Sequence, residues 1–247
     1  MAPEVPLALL TNATHFGGPA ALAALQAAGF RALCHDPGFA DEAARLEFAE
    51  DRPGTVALRA TDPAAAVDAA LEHGERLAAI VSNDYVAPPA DCLGLEAPPA
   101  ALRELLERLT VDPFRVLAAA LGPMRASGGG TIVFLTSAAA RRPIAGKPLY
   151  TAARAATTSL VQAAAKSLAR EGILLFAVGP TFFENPTYFP PRRWDEDPAL
   201  RARVEREVPL GRLGSPREME ALIGFLLSGQ AAPLTGELIG FSGGYLP

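Results

Sequence analysis

Three side chains in the middle of this chain could do acid–base chemistry together. Ser137 follows an apolar run, Thr131 to Thr136, that reads as a buried strand. After a loop with Pro143, Gly146 and Pro148, Tyr150 opens an Ala-rich helical run, and Arg154 lies four residues on. Positions i and i+4 share one helix face, which makes Tyr150 and Arg154 neighbours. A free tyrosine ionises near pH ~10 and is a poor base at neutrality, and a nearby cation favours its phenolate. Arg154 stays charged at any working pH and would be that cation. A serine hydroxyl both donates and accepts, so Ser137 could hold a substrate hydroxyl while Tyr150 removes its proton. The same residues also admit an ordinary reading, a Tyr/Arg pair on a helix surface and a serine that closes a strand.

The elements around this trio alternate. Strands are expected at Val5–Thr11, Phe30–His35, Thr55–Leu58, Leu77–Ser82, Thr131–Thr136, Ile173–Val178 and Glu237–Phe241. Helices are expected after Gly17 and Gly18 to about Ala28, over Phe39–Glu50, Pro63–His73, Pro98–Met124 with a kink or break at Pro113, from Tyr150, and over Pro216–Ser228. Such alternation implies an α/β protein, a Rossmann-like, doubly wound parallel sheet of about seven strands flanked by helices. No repeat or linker divides the 247 residues, so 1–247 reads as a single domain. Ligands of open α/β sheets bind outside the carboxyl ends of the strands, where Ser137 would stand.

Ser137, Tyr150-x-x-x-Arg154 and their flanks resemble the short-chain dehydrogenase/reductase superfamily, whose trio is Ser, Tyr and Lys in a Tyr-x-x-x-Lys motif. The likeness spans essentially the whole chain, with Arg154 in place of the lysine. After the first strand the superfamily has Thr-Gly-x-x-x-Gly-x-Gly, glycines that let the backbone approach a pyrophosphate. This chain reads Thr11-Asn12-Ala13-Thr14-His15-Phe16-Gly17-Gly18, with Asn12 and Phe16 replacing the first two glycines. After strand four the dehydrogenases have Asn-Asn-Ala-Gly, and this chain has Ser82-Asn83-Asp84-Tyr85. Asp36 stands where NAD-binding relatives carry an acidic ribose contact. Without the glycines it reads as a remnant or a loop cap.

These departures resemble the halohydrin dehalogenases, which share the fold and use no nicotinamide cofactor. The resemblance implies displacement of halide from a vicinal haloalcohol to give epoxide, halide and a proton, and ring opening of epoxides by azide, cyanide or nitrite. It implies Ser137, Tyr150 and Arg154 as catalytic residues. It places a halide pocket in the vacated nicotinamide site, at Phe16 and the Gly179-Pro180-Thr181-Phe182-Phe183 loop. The stretch Pro186 to Pro190, with Phe189, and Trp194 match a pocket-lining segment. Aromatic edges and backbone N–H groups suit a large, weakly hydrated anion. The same aromatics also read as a hydrophobic lid. Asp84 reads either as a strand-end cap or as a proton relay with Arg154 and water. The resemblance further implies a homotetramer on the 98–124 and 150–170 helices. Leu105, Leu106, Leu109, Val161 and Leu168 could serve there or in the core. The runner-up reading is an NAD(P)-dependent oxidoreductase with Arg replacing the catalytic Lys, and a third is a non-catalytic ligand sensor.

Composition narrows the rest. Half of the residues are hydrophobic, enough for a sizeable core, and the net charge of −5 carries no basic footprint for nucleic acid. Cys34 and Cys92 form no C-x-x-C motif, and a reducing cytoplasm is the simpler setting. The N-terminal stretch lacks a basic n-region, and no run reaches the ~18 apolar residues of a membrane span. Gly240-Phe241-Ser242-Gly243-Gly244 satisfies G-x-S-x-G, but too little chain follows for the helix, Asp and His a hydrolase needs. His15, His35 and His73 have no metal-ligand spacing. The resemblance implies a small haloalcohol or epoxide and a halide ion as partners, and composition and spacing point to no metal, nucleic acid or membrane.

Overall fold

A computed structural model describes residues 5–60, 62–74, 76–86 and 94–246; Cys92 and Pro247 lie outside them. Seven parallel strands form one sheet: β1 (Leu7–Leu10), β2 (Arg31–Cys34), β3 (Thr55–Ala57), β4 (Leu77–Asn83), β5 (Gly130–Leu135), β6 (Ile173–Pro180) and β7 (Leu238–Phe241). Their order is β3-β2-β1-β4-β5-β6-β7. The chain moves outward from β1 to β3, returns to β4 and then moves the other way. A topological switch point thus lies between β1 and β4.

The central strands are mostly apolar because both sheet faces are covered. Side chains alternate across the pleat, so Ala8 and Leu10 join one core cluster while Leu7 and Leu9 join the other. Helices α1 (Gly18–Ala27) and α2 (Glu42–Glu50) cover the first face with α9 (Pro216–Leu227). The second face carries α3 (Ala65–Leu71), α5 (Asp112–Ala126) and α6 (Pro148–Leu168). Before α5, α4 (Pro99–Leu106) runs into a π-helical turn over Glu107–Val111, and Pro113 sits in the first turn of α5. The expected interruption near Pro113 is therefore a π turn just ahead of it, where a proline's missing N–H costs little. Leu105, Leu109, Val161 and Leu168 are buried within the chain itself, which gives them a core role.

Two helices lie beyond the expected set, α7 (Pro191–Glu196) and α8 (Pro198–Glu207). Helix α8 is mostly charged and buries only Leu200 and Val204, an i, i+4 pair too narrow to register as a periodic stripe. Its start is nonetheless written in the sequence. The side chain of Asp197 accepts from Leu200 N at 2.9 Å, with Pro198 in the first turn. No helix among the described residues is long and apolar enough to cross a membrane.

Candidate active site

The loop after β1, the carboxyl ends of β5 and β6 and the start of α6 line one cavity of about 350 Å³. Ser137 lies two residues past β5, is 6% exposed, and caps a short 3-10 turn by accepting Ala139 N at 3.1 Å. That bond occupies a lone pair and leaves the hydroxyl proton free to donate. Ser137 and Tyr150 both line the cavity. The Tyr150 ring also packs against a small cluster formed by Val86, Leu105, Leu109 and Ala153.

Arg154 is fully buried, and its three nitrogens hold three different groups. Nε donates to Tyr150 Oη at 3.1 Å, Nη1 to Leu135 O at 3.3 Å and Nη2 to Asp84 O at 2.7 Å. Burial opposes its charge, but Tyr150, Tyr188 and Asp84 outweigh that opposition and hold its pKa above the ordinary value. The plane of the guanidinium therefore joins the ends of β4 and β5 to the phenol of α6. Asp84 meets Arg154 through its main-chain oxygen. Its carboxylate accepts the Ser82 hydroxyl at 2.9 and 3.1 Å. Burial raises the Asp84 pKa to about 7, against the pull of Arg154 and Ser82.

The far wall is aromatic. Phe16, Pro180, Thr181, Phe182, Phe183 and Phe189 all line the cavity, as does Tyr188. The Phe16 ring meets Phe183 and Tyr188 edge-on, with centroids 5.4 and 5.5 Å apart. Beyond β6 the backbone keeps pairing: Thr181 N donates to Phe241 O, Gly214 N to Phe182 O and Glu184 N to Gly214 O. Gly214 is required there, since a Cβ would stand 2.6 Å from the Phe241 ring. Among the described residues no acceptor meets the N–H of Phe182 or Phe183, and Phe182 takes a left-handed φ of 47°. Unpaired N–H groups beside a cavity are an anion-binding feature. Trp194 packs behind this wall against the cluster of Phe182, Leu200 and Val204.

Several positioning residues lie outside the expected set. Buried Asn185 donates to Phe183 O and accepts from Thr187 N and Tyr188 N, at 2.7, 3.0 and 2.8 Å. Thr187 Oγ1 in turn accepts Phe16 N at 2.7 Å, which latches the first loop to the aromatic wall. Only the generic turn habit of Asn ahead of Pro186 hints at this in sequence. Lys147, Arg193 and Arg203 also line the cavity.

The first loop does not fit a dinucleotide. Asn12 and Phe16 adopt left-handed φ values of 50° and 46° where glycines would serve, and the Phe16 ring faces the cavity wall. Asn12 and Asn83 exchange side-chain bonds to each other's main-chain oxygens, both at 2.8 Å. Asp36 caps this loop and its own turn. One oxygen accepts Thr14 N, Thr14 Oγ1 and His15 Nδ1, and the other accepts Gly38 N. Burial pushes the Asp36 pKa up, but these bonds bring it below the usual carboxylate value. That carboxylate is committed to the loop, and the loop-cap reading describes it.

A family model described as enoyl-(acyl carrier protein) reductase matches residues 20–246. Over the first curated relatives it matches, the chain spans about half their length. A tropinone reductase homolog of Arabidopsis thaliana is 34% identical over 49% of this chain and 43% of its own. Among solved structures, one titled a dehalogenation enzyme is 38% identical with a TM-score of 0.91, covering 99% of this chain and 100% of that one. A halohydrin dehalogenase, HheC, bound to ethyl (2S)-oxiran-2-ylacetate, is 30% identical with a TM-score of 0.92, covering 98% and 97%. The chain belongs to the short-chain dehydrogenase/reductase superfamily and, within it, to the halohydrin dehalogenase family.

Proposed function

We propose that this chain converts vicinal haloalcohols to epoxides without a nicotinamide cofactor, and opens epoxides with small anions in reverse. Ser137 donates its free proton to the substrate oxygen and holds it against Tyr150. The Tyr150 phenolate takes the hydroxyl proton. The resulting alkoxide attacks the adjacent carbon from behind, the carbon–halogen bond breaks with its electron pair, and halide departs. Arg154 Nε points at the phenol oxygen, so a fixed charge already lies where the base is negative. Tyr150 then returns its proton to solvent. Asp84, poised near neutrality behind Arg154, can exchange a proton at working pH. Phe16, Pro180, Thr181 and Phe183 receive the halide against ring edges and the N–H groups of Phe182 and Phe183, and the Phe182 and Phe189 rings line the rest of the substrate cavity.

The observation that carries this reading is one cavity lined by Ser137, by Tyr150 on its arginine and by an aromatic wall beside two unpaired N–H groups. The test mixes protein, a bromoalcohol and a pH indicator with no nicotinamide. Acid and bromide should appear together in equal amounts. The reductase relatives favour a second reading, an NAD(P)-dependent oxidoreductase with Arg154 in the lysine position. Millimolar NADH or NADPH separates the two. A nucleotide at 100 times its dissociation constant adds about 2.7 kcal/mol of stability, so a raised thermal midpoint would support the oxidoreductase. We also propose a homotetramer built on α4, α5 and α6, where Val111 and Phe114 remain 37% and 49% exposed; sedimentation would test it.

A further inference from the structure

The cavity is charged in a way that a neutral haloalcohol does not explain. The chain carries an excess of acids and a net charge of −5. Yet the charged side chains that line the cavity, Lys147, Arg193 and Arg203, are all basic. Among the described residues Lys147 and Arg193 have no ion-pair partner. On the same short helix Arg192 does take one, Glu196 at 2.7 Å. Arg193 instead lies over the Phe189 ring at 5.6 Å and donates to Tyr188 O. Arg203 lies over the Phe182 ring at 5.2 Å and shares Glu207 with Arg206. The Phe182 and Phe189 rings are themselves 5.9 Å apart, so each of two neighbouring rings carries a guanidinium group.

This wall is separate from the rings around Phe16. Phe16, Phe183, Tyr188 and Phe241 pack into the core beneath β1 and β6, whereas Phe182, Phe189 and Tyr245 pack with α8. The cavity therefore has two aromatic ends, and the cations stand on the one away from Phe16.

We propose that the substrate carries an anionic tail, a carboxylate, which Arg193 and Arg203 seat on the Phe182–Phe189 wall while the carbon–halogen end faces Phe16. This rests on the dehalogenase reading for the reacting end only. A guanidinium fork matches a carboxylate in two parallel hydrogen bonds, and the rings beneath fix the plane of each fork. Lys147, which also lines the cavity, adds charge that draws an anion in. A four-carbon haloacid lies within what a cavity of about 350 Å³ holds.

The tail can be tested apart from the chemistry. Binding of 3-hydroxybutanoate and of 3-hydroxybutanamide, measured by calorimetry, should differ by about tenfold in favour of the acid. The preference should shrink with added salt and collapse in Arg193→Gln, Arg203→Gln and the double variant. Halide release from 4-bromo-3-hydroxybutanoate should exceed that from its ethyl ester, through KM more than kcat, after subtraction of the uncatalysed rate. Equal binding of acid and amide by the wild-type protein overturns the proposal, whether or not the variants fold. So does an acid preference that survives both substitutions. Bromide release from ester and acid alike, with no preference, means the cations serve the halide alone, and it overturns the tail while leaving the dehalogenase reading intact. Tight, arginine-dependent binding of the acid with no halide release from either compound upholds the tail and overturns the dehalogenase.

Discussion

Replacing Asp84 with Asn should change how stability depends on pH, and the structure sets the size of the change. Asp84 is 6% exposed at the end of β4, and burial raises its pKa to about 7. Arg154 and the Ser82 hydroxyl pull the other way, and Asp112 adds to the rise. In the unfolded chain the same carboxyl ionises near ~3.9. Between these values the folded state holds a proton that the unfolded state has lost. Stability therefore falls as pH rises through this window. The cost is absent below about pH 4 and fully present above about pH 7. A difference of about three units, at ~1.36 kcal/mol each, amounts to about 4 kcal/mol.

Asparagine keeps the shape and cannot ionise, so Asp84→Asn should lose this pH dependence. Urea unfolding of both proteins at pH 4.5, 6 and 8 would measure it. The stability of the variant minus that of the wild type should climb by roughly 3 kcal/mol across the range, since about 1 kcal/mol of the cost is already present at pH 4.5. Any fixed cost of the amide, including its poorer match to the Ser82 hydroxyl, offsets the curve without tilting it. Asp36 titrates in both proteins and cancels in the difference. A flat difference, within about 1 kcal/mol, would mean that Asp84 ionises normally. A falling difference would mean that Arg154 and Ser82 hold the carboxylate charged in spite of its burial.

Tyr150→Phe keeps the ring against Leu105 and Leu109 and removes the hydroxyl proposed as the acid–base group. Halide release should drop by about 10²–10⁴-fold with an unchanged circular dichroism spectrum, and near-normal turnover would remove Tyr150 from the mechanism. Phe16→Ala should weaken inhibition by bromide far more than it lowers the thermal midpoint, because the ring lines the cavity; unaltered bromide inhibition would move the halide elsewhere. Asn185→Ala leaves the N–H groups of Thr187 and Tyr188 without their acceptor, and should cost about 1–3 kcal/mol in denaturant unfolding. Bromide inhibition should weaken in parallel, and a variant of wild-type stability would show that water replaces the amide.

The parts of this protein legible in its sequence are those where one physical signal acts alone. Parallel strands buried on both faces appear as apolar runs, and all seven stand within a residue or two of where the runs begin and end. Ser137, Tyr150 and Arg154 are legible because a strand end and an i, i+4 spacing are local facts. Helix α8 is not, since a stripe of Leu200 and Val204 among eight other residues carries little periodic signal. Nor is the latch from Asn185 through Thr187 to Phe16, which joins positions 171 residues apart by a hydrogen bond. The three cations of the cavity wall are likewise hidden, because in sequence they are ordinary surface charges on separate elements.

Arg154 shows why the departures in this chain belong together. An ammonium is a point charge whose three donors rotate freely, whereas a guanidinium spreads its donors in one plane at fixed angles. Here that plane meets Tyr150 Oη, Leu135 O and Asp84 O at once, on three different elements. The orientation of the Tyr150 phenol is therefore set, through Arg154, by the protein's own backbone. The first loop is self-sufficient in the same sense: Asn83 ties it to β4, Asp36 caps it, and Thr187 latches it to the aromatic wall. A site assembled this way is in position before any substrate enters, and its cavity is free to take the shape that the proposed leaving group and substrate tail require.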